Sequence, residues 1–335
     1  MENAADLSPL PEEIIHRIQS LLLHERDAAQ TSLLSKSWHD AWTTRLNLTF
    51  DQYKFRNRVN EFPIFTRKIM QRYEDLNRNI KSFKLLMKGN DDSDLARELI
   101  LKAIKLGATD LTLQFSISDT NRCFVLPDEV LESKTLVRLY VLGLTVDLER
   151  RNKAVACSNL KYLWLSQASV KGDLIRDLIS RCPSIEELTL FHTSLFGYER
   201  RRWSPSHDHQ FDNLKCLRLI CLGVKLHDHD ELWNNSPSLK VLVIWDENSD
   251  YVRICSPSLE RISIRILHDK IWNGEFDVPN IQNFKISAGC EFKEPRLKIK
   301  SGDKEWEIES FEPIGYCFSS LKQLVKTFSL SIRER

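Results

Sequence analysis

The sequence lacks any apolar run long enough to cross a lipid bilayer. Its longest mostly apolar stretch, residues 239–245, is interrupted by Lys240, whereas a membrane-spanning helix needs about 20 predominantly apolar residues. The first six residues carry two acids and no base, so they lack the cationic start of a secretory signal. The sequence therefore predicts a protein with no membrane contact.

An excess of charge of either sign is also missing. The 335 residues include 48 Lys and Arg against 47 Asp and Glu, which gives a formal net charge of +1. Proteins that hold nucleic acid usually carry a large basic excess, so we expect no nucleic-acid partner. The basic run at residues 200–202 is interpreted as part of a solvated loop.

Cysteines are few and scattered. The chain has eight cysteines and no Cys-x-x-Cys pair, which argues against a disulfide scaffold and is typical of the reducing nucleus or cytoplasm, where we expect the protein. His207, His209, His227 and His229 alternate with aspartates, but this spacing is not that of a helical zinc motif. No metal site is therefore expected.

Motifs that carry catalysis are absent as well. The chain has only ten glycines and contains no G-x-x-x-x-G-K-S/T, G-x-G-x-x-G, G-x-S-x-G or H-E-x-x-H motif. The sequence therefore predicts no catalytic residues, no cofactor and no enzyme activity of its own.

What the sequence does contain is a repeated segment. An apolar-x-x-apolar-x-apolar pattern recurs nine times, and its first positions are 20 to 29 residues apart, which is the period of leucine-rich repeats. The end of each copy alternates in polarity, as strands do. The copies begin at Ile80, Ala108, Leu136, Leu160, Ile185, Leu214, Leu239, Leu259 and Ile281. Because one strand cannot bury its apolar face alone, the copies must stack into one continuous core.

The segments between these strands return the chain to the next copy. Two of them are expected to be helical, one following Asp94 and ending near Gly107, the other following Asp173 with Leu174 and Leu178 on one face. The remaining returns are too short or too polar to predict a helix. The fold class is thus α/β, a curved parallel sheet with helical or irregular returns.

These repeats are similar to the irregular leucine-rich repeats of plant proteins, with one departure. The Asn or Cys that usually follows the strand is replaced by Ala168, Thr193 and Leu222. We therefore expect the turn after the strand to lack its usual hydrogen-bonding ladder.

Residues 8–43 have a different character and predict three short helices. Pro11 suits the first turn of a helix, an Ala-rich segment at 27–33 suits a second, and Ser35 can cap a third that carries Trp38. The apolar stripe of the first helix runs along one face, as in an amphipathic helix. Three helices of this length form only a small core, so the module is expected to gain stability from a partner or from docking onto the repeats.

This module resembles the F-box. Leu-Pro-Glu-Glu-Ile-Ile at residues 10–15 and Leu-Leu-Ser-Lys-Ser-Trp at residues 33–38 match its two separated blocks at its usual spacing. The resemblance, closest to plant F-box/leucine-rich-repeat proteins, implies a substrate receptor of Skp–cullin–F-box ubiquitin ligases. Its partners would be a Skp-family adaptor, through it a cullin, and a target protein of unknown identity held by the repeats.

The resemblance also implies which residues contact the adaptor. Apolar anchors along a helix suit docking into a groove, and Trp is a frequent energetic anchor. The predicted contact residues are Leu10, Pro11, Ile14, Ile18, Leu34 and Trp38; the alternative is that they only pack the module's own core. Ile15 and Leu22 are expected to pack inside the module instead.

The target surface is predicted from strand alternation. Residues between the inward apolar positions point to the concave side, and aromatic and Arg side chains are enriched in binding hot spots. The predicted surface residues are Arg138, Tyr140, Tyr162, Trp164, Phe191, Arg218, Trp245 and Arg265. The alternative is that the tryptophans pack against the C-terminal tail or neighbouring strands.

The remaining segments complete a four-part organisation. Residues 44–79 are interpreted as a linking or capping repeat, 80–294 as the leucine-rich repeats, and 295–335 as a C-terminal cap or tail with a last helix near Leu321. An alternative function is a free-standing repeat scaffold without ligase association. A hormone receptor, in which a small molecule fills the repeats, is disfavoured because the array is short.

Overall fold

The structure is a computed structural model that divides into two compact units, Met1–Thr145 and Val146–Arg335. It describes residues 10–22, 25–55, 58, 60–88, 92–116, 124–147, 157–171, 182–196, 212–222, 231–234, 236–247, 249–267, 272–288, 296–301, 304–308 and 326–330. Among these residues, no helix combines the length and the apolar character that a bilayer crossing requires.

Each unit contains parallel strands that stack as successive turns of a solenoid. The helices are α1 (Glu12–Leu21), α2 (Glu25–Thr31), α3 (Lys36–Thr43), α4 (Glu61–Asp75), α5 (Ser93–Lys105), α6 (Asp128–Leu131) and α7 (Glu231–Asn234). The strands are β1 (Asn47–Asp51), β2 (Ser82–Lys88), β3 (Asp110–Ser116), β4 (Arg138–Leu142), β5 (Thr145–Asp147), β6 (Tyr162–Ser166), β7 (Ser169–Lys171), β8 (Glu187–Phe191), β9 (Ser194–Phe196), β10 (Cys216–Ile220), β11 (Val241–Asp246), β12 (Tyr251–Cys255), β13 (Arg261–Ile266), β14 (Asn273–Asp277), β15 (Asn283–Ala288), β16 (Arg296–Ser301), β17 (Lys304–Ile308) and β18 (Lys326–Leu330).

The first unit begins with the three predicted helices. Ser35 caps α3, because its side-chain oxygen accepts the Trp38 backbone N–H at 3.4 Å. Ile15, Trp38 and Ala41 form the buried core of this helical module. The buried Gln19 ties the helices together, since its Nε2 donates to the Trp38 carbonyl and to the Thr31 hydroxyl, both at 3.0 Å.

The helical module is followed by a four-stranded parallel sheet in the order β1-β2-β3-β4. Two helices, α4 and α5, return the chain between its first three strands. The predicted helix after Asp94 is confirmed as α5, and it ends where predicted. Gly107 follows it with a φ of +82° and donates its N–H to the Ile104 carbonyl at 2.9 Å, a conformation that glycine adopts without strain.

In the second unit, the larger sheet has the order β6-β8-β10-β11-β13-β15-β18, and only β18 is antiparallel to its neighbour. The inward positions that the repeat pattern predicts are aligned across these strands. Leu163, Leu188, Leu217, Leu242 and Ile262 form one continuous row, and each is at most 4% exposed. The prediction of a repeat solenoid with one stacked core is confirmed.

A second, smaller sheet lies in the returns of the last repeats. Strands β12, β14 and β16 are parallel, and β17 closes the sheet as an antiparallel strand. Trp233 and Trp272 are fully buried, and Trp233 donates its indole N–H to the Arg253 carbonyl at 2.8 Å. Phe276 on β14 meets Phe284 on β15 edge-on, with ring centroids 4.9 Å apart, so the core continues between the two sheets.

The turn after the strand departs from the expectation. Gln167, His192 and Cys221 follow β6, β8 and β10, and all three adopt a left-handed conformation with φ between 44° and 51°. Their N–H groups donate to carbonyls at the ends of the next strands, those of Phe191, Ile220 and Trp245, at 2.8 to 3.0 Å. A backbone ladder therefore takes the place of the missing side-chain ladder. Thr193 adds a side-chain bond, since its hydroxyl donates to the Leu165 carbonyl at 3.1 Å.

Two predicted helices, after Asp173 and near Leu321, lie outside the described residues. The Trp306 segment forms β17, and β18 ends the larger sheet with an antiparallel strand.

An ion-pair ladder lies where the strands of the second unit begin. Glu186 accepts from Lys161 and from Lys215, both at 2.8 Å, and these hydrogen bonds lower the pKa of the Glu186 carboxyl from 4.5 to about 2. A depressed folded-state pKa contributes stability that is present above pH 4.5 and is lost as the pH falls toward 2.

We expect the urea concentration at the unfolding midpoint to fall over this pH range in the native protein and to fall less in Glu186→Gln, with Glu260→Gln as the control variant. An equal acid dependence of the native protein and Glu186→Gln would contradict the ladder.

Candidate functional site

The helical module leaves an apolar face uncovered among the described residues. Ile14 is 44% exposed, Ile18 is 36% exposed and Leu34 is 56% exposed. Pro11 is exposed and Leu10 is half-buried against the module core. Ile14 and Ile18 are four residues apart on α1 and therefore lie on one side of that helix. Five of the six predicted adaptor-contact residues are thus accessible to a partner.

Trp38 differs from the expectation. The sequence placed its ring on the contact face, but in the structure Trp38 is only 3% exposed and packs with Ile15 and Ala41. The physical reason is that α3 is only two turns long, so its largest apolar side chain is needed to fill the small core of the module. Trp38 therefore packs inside the module rather than on its exposed apolar face. Ile15 is buried, as expected.

Sequence reasoning missed two further exposed apolar side chains in this region. Leu21 is 73% exposed and lies three residues after Ile18, while Leu33 is 86% exposed next to Leu34. The periodicity of α1 already carried the signal for Leu21, because its offset of seven from Ile14 places both on one face. Large exposed leucines on so small a module extend the apolar face.

The helical module is attached to α4 by a stacked cation and by hydrogen bonds. The guanidinium carbon of Arg72 lies 3.9 Å from the Trp42 ring centroid. The Tyr73 hydroxyl donates to the Arg45 carbonyl at 2.7 Å, and an Arg45 guanidinium N–H donates to the Leu22 carbonyl at 3.2 Å. These contacts connect α1, α3 and α4 within the first unit.

We expect Arg72→Ala to loosen this attachment. A half-buried cation–π contact contributes about 1–2 kcal/mol, so hydrogen exchange in α1 and α3 should become faster in the variant. Lys68→Ala, an exposed cation on the same helix, is the matched control and should leave exchange unchanged. Unaltered exchange in Arg72→Ala would mean that the Trp42 contact does not hold the module.

The outer face of the larger sheet in the second unit carries the predicted surface residues. Strand register places Trp164, Thr189 and Arg218 in one row across β6, β8 and β10. Trp164 is 45% exposed, whereas Thr189 between the two larger side chains is 4% exposed. Arg218 forms an ion pair with Glu187 at 3.3 Å. Tyr162, two residues before Trp164 on the same strand, is half-buried.

A second row lies two residues further along the chain, on the strands from β8 to β13. Phe191 on β8, Ile220 on β10, Trp245 on β11 and Arg265 on β13 are aligned and half-buried. The Arg265 guanidinium carbon lies 5.1 Å from the Trp245 ring centroid, so the cation rests on the aromatic face. The structure therefore brings the six predicted residues of this unit onto one sheet face.

The outer face of the second unit is basic. Its outward positions on the strands from β6 to β15 include four cations, Arg218, Arg261, Arg265 and Lys285, and one acid, Glu187. In the first unit, Arg138 and Tyr140 lie on the outward positions of β4. Arg138 is paired with Asp110 at 3.0 Å, and Tyr140 is aligned with Thr112.

The chain is similar to known plant proteins over most of its length. A family model described as FBD-associated F-box protein At5g56370, LRR repeats, matches residues 97–206. The F-box/LRR-repeat protein At3g59200 of Arabidopsis thaliana is 32% identical over 81% of this chain and 52% of its own length. The F-box/LRR-repeat protein At2g42730 of the same plant is 26% identical over 89% of this chain and 56% of its own length.

A third relative, the FBD-associated F-box protein At1g60410 of Arabidopsis thaliana, is 27% identical over 74% of this chain and 59% of its own length. The chain thus spans about half the length of the curated relatives that it matches. No solved structure matches it. A three-helix module that begins with the Leu-Pro motif and leads into a parallel-strand solenoid agrees with these names, and the chain is similar over most of its length to plant F-box/leucine-rich-repeat proteins.

Proposed function

We propose that this protein is the substrate-recognition subunit of a Skp–cullin–F-box ubiquitin ligase. The observation that carries the proposal is the exposed apolar face of the helical module, formed by Leu10, Pro11, Ile14, Ile18 and Leu34. A module with so small a core gains little by exposing three large aliphatic side chains, unless a partner covers them. The family name of its relatives indicates the same type of receptor.

The adaptor side of this function is helix-in-groove docking. Ile14 and Ile18 present one edge of α1, and Leu34 adds an anchor from the turn before α3. Such anchors enter an apolar groove and lose their water-accessible surface, which is the main source of affinity. A Skp-family adaptor supplies the groove, and the cullin is recruited through that adaptor.

The target side uses the outer face of the larger sheet in the second unit. Trp164, Phe191 and Trp245 offer large rigid contact areas, and Arg218 and Arg265 offer planar cations beside them. This combination suits a target protein whose docking segment carries acidic residues next to apolar side chains. Arg138 and Tyr140 of the first unit are proposed as additional target contacts.

The mechanism is proximity rather than chemistry. A receptor that holds the adaptor with one module and the target with another raises the effective concentration of the target near the ligase. This role needs no catalytic residue, cofactor or metal in the receptor itself. We place the complex in the nucleus, the cytoplasm or both.

The direct test is reconstitution of the complex. The full chain is co-expressed with a plant Skp-family adaptor and analysed by size-exclusion chromatography with light scattering. A complex with one copy of each protein supports the proposal. Elution of the two proteins as separate species at micromolar concentration rejects it and favours a free-standing repeat scaffold.

A further inference from the structure

Three side chains with metal-binding donors meet at the ends of adjacent strands in the second unit. His192 follows β8, Cys221 follows β10 and Glu247 follows β11. An imidazole nitrogen, the thiol sulfur and a carboxylate oxygen all lie within 4.8 Å of one another. From this geometry we propose that His192, Cys221 and Glu247 bind a zinc ion.

The backbone explains why these three residues meet. His192 and Cys221 occupy the same position in consecutive repeats, and both adopt the left-handed conformation that ends the strand. The His192 N–H donates to the Ile220 carbonyl at 2.8 Å, and the Cys221 N–H donates to the Trp245 carbonyl at 3.0 Å. The hydrogen-bonded turns therefore hold the backbones of two of the three residues in place before any ion arrives, which lowers the entropic cost of binding.

The packing of the cluster fits a bound ion. Cys221 is buried, with 7% of its surface exposed, whereas His192 and Glu247 are exposed and able to adjust. The His192 ring is oriented by an edge-on contact with Phe191, with ring centroids 4.5 Å apart. Tetrahedral zinc geometry requires neighbouring donors at about 3.5 Å, so donors that lie within 4.8 Å of one another need to close by no more than about 1 Å. Rotation of the two exposed side chains supplies that movement.

The donor set selects for zinc. A soft thiolate and an imidazole disfavour magnesium and calcium, which prefer oxygen ligands, while one carboxylate with nitrogen and sulfur donors suits tetrahedral Zn²⁺. On binding, the Cys221 thiol releases its proton to solvent and becomes a thiolate ligand. Water occupies the fourth position. The ion would connect three consecutive turns of the solenoid beside the row that contains Phe191 and Trp245.

The test uses Co²⁺ as a spectroscopic substitute for zinc. The full chain, without an affinity tag, is stripped with a chelator and titrated with Co²⁺ under reducing conditions. We expect a thiolate-to-cobalt charge-transfer band that saturates at one ion per chain and disappears when Zn²⁺ is added. Cys221→Ser should remove the band, and His192→Ala and Glu247→Gln should each weaken the affinity more than about tenfold.

Two controls keep the result specific. Cys216→Ser changes another buried cysteine of the same repeat and should leave the band unchanged. A variant in which His207, His209, His227 and His229 are all alanine should also retain the band. Circular dichroism confirms that each variant is folded. His192→Ala changes an exposed side chain and is therefore the ligand variant with the smallest effect on packing. Absence of the band at about tenfold excess Co²⁺, its persistence in Cys221→Ser, or its loss in the four-histidine variant would overturn the proposal.

Discussion

Replacing Ile14 and Ile18 together with aspartate is expected to abolish adaptor binding. Both side chains are exposed on one edge of α1, so the double change removes two apolar anchors and places two charges where a dry groove would close. Hot-spot residues contribute about 2 kcal/mol or more each, so the dissociation constant should rise by at least about a hundredfold. Titration calorimetry with a purified Skp-family adaptor measures the change.

The control for this variant is Ile64→Asp. Ile64 is the same residue type, is 69% exposed, and lies on α4 outside the helical module. It should bind the adaptor with the affinity of the native chain. Because exposed substitutions usually change stability by no more than about 0.5 kcal/mol, both variants should keep the native unfolding midpoint. Normal adaptor affinity in the Ile14 and Ile18 variant would contradict the proposed contact face.

Trp38 is a poor probe of the same contact, and the structure shows why. Its ring fills the core of the helical module, so Trp38→Ala removes packing as well as any influence on the surface. Large-to-small changes of a buried Trp cost about 3–5 kcal/mol, which is comparable to the whole stability of so small a module. Lost binding in that variant would report unfolding rather than a lost contact.

The sequence predicted the stacked core because alternation within each repeat is a local property. Leu188, Leu217 and Leu242 needed only their own strand neighbours to be assigned to the inside, and all three are fully buried. Ile281 is the exception among the first positions, since it is only half-buried. It begins the last of the nine repeats. The strand of that repeat, β15, has only β18 beyond it in the sheet, so fewer neighbouring side chains cover Ile281.

The smaller sheet was not predicted, although its sequence signal existed. Val252 and Ile254 alternate with Arg253 in a segment that was interpreted as an irregular return. The repeats that begin at Leu239 and Leu259 are only 20 and 22 residues long, and an extended return fits these lengths better than a helix. Pairing between distant returns depends on register between repeats, which a single repeat does not encode.

The candidate functional residues were also predictable only in part. The outward positions of Trp164 and Arg218 followed from period-2 alternation, whereas the burial of Trp38 depended on how three short helices share one core. The cluster of His192, Cys221 and Glu247 could not be predicted, because it depends on left-handed residues at the ends of neighbouring strands. Composition directed attention to the histidines at 207–209 and 227–229 instead.

Removing Trp164 and Arg218 together is expected to eliminate target capture while adaptor binding is retained. Both side chains lie on the outer face of the sheet, in one row with Thr189 between them. Aromatic and Arg hot spots contribute about 2–4 kcal/mol each, so the combined Trp164→Ala and Arg218→Ala variant should lose target affinity by more than about a hundredfold. Alanine is preferred to glutamate at 218, because a new carboxylate beside Glu187 would add like-charge repulsion.

The measurement is proximity labelling in plant cells treated with a proteasome inhibitor, followed by direct binding of the purified candidate target. Ile64→Ala with Arg97→Ala is the matched control, since it also removes one exposed apolar side chain and one exposed Arg, but on helices of the first unit. A true target is labelled by the native chain and by the control, and not by the Trp164 and Arg218 variant. Its degradation must also require Ile14 and Ile18, because a receptor works only when both surfaces are engaged at once. If targets bind the Trp164 and Arg218 variant with normal affinity, this sheet face is not the target-binding surface. The adaptor contact is tested separately, by the calorimetric measurement on the Ile14 and Ile18 variant.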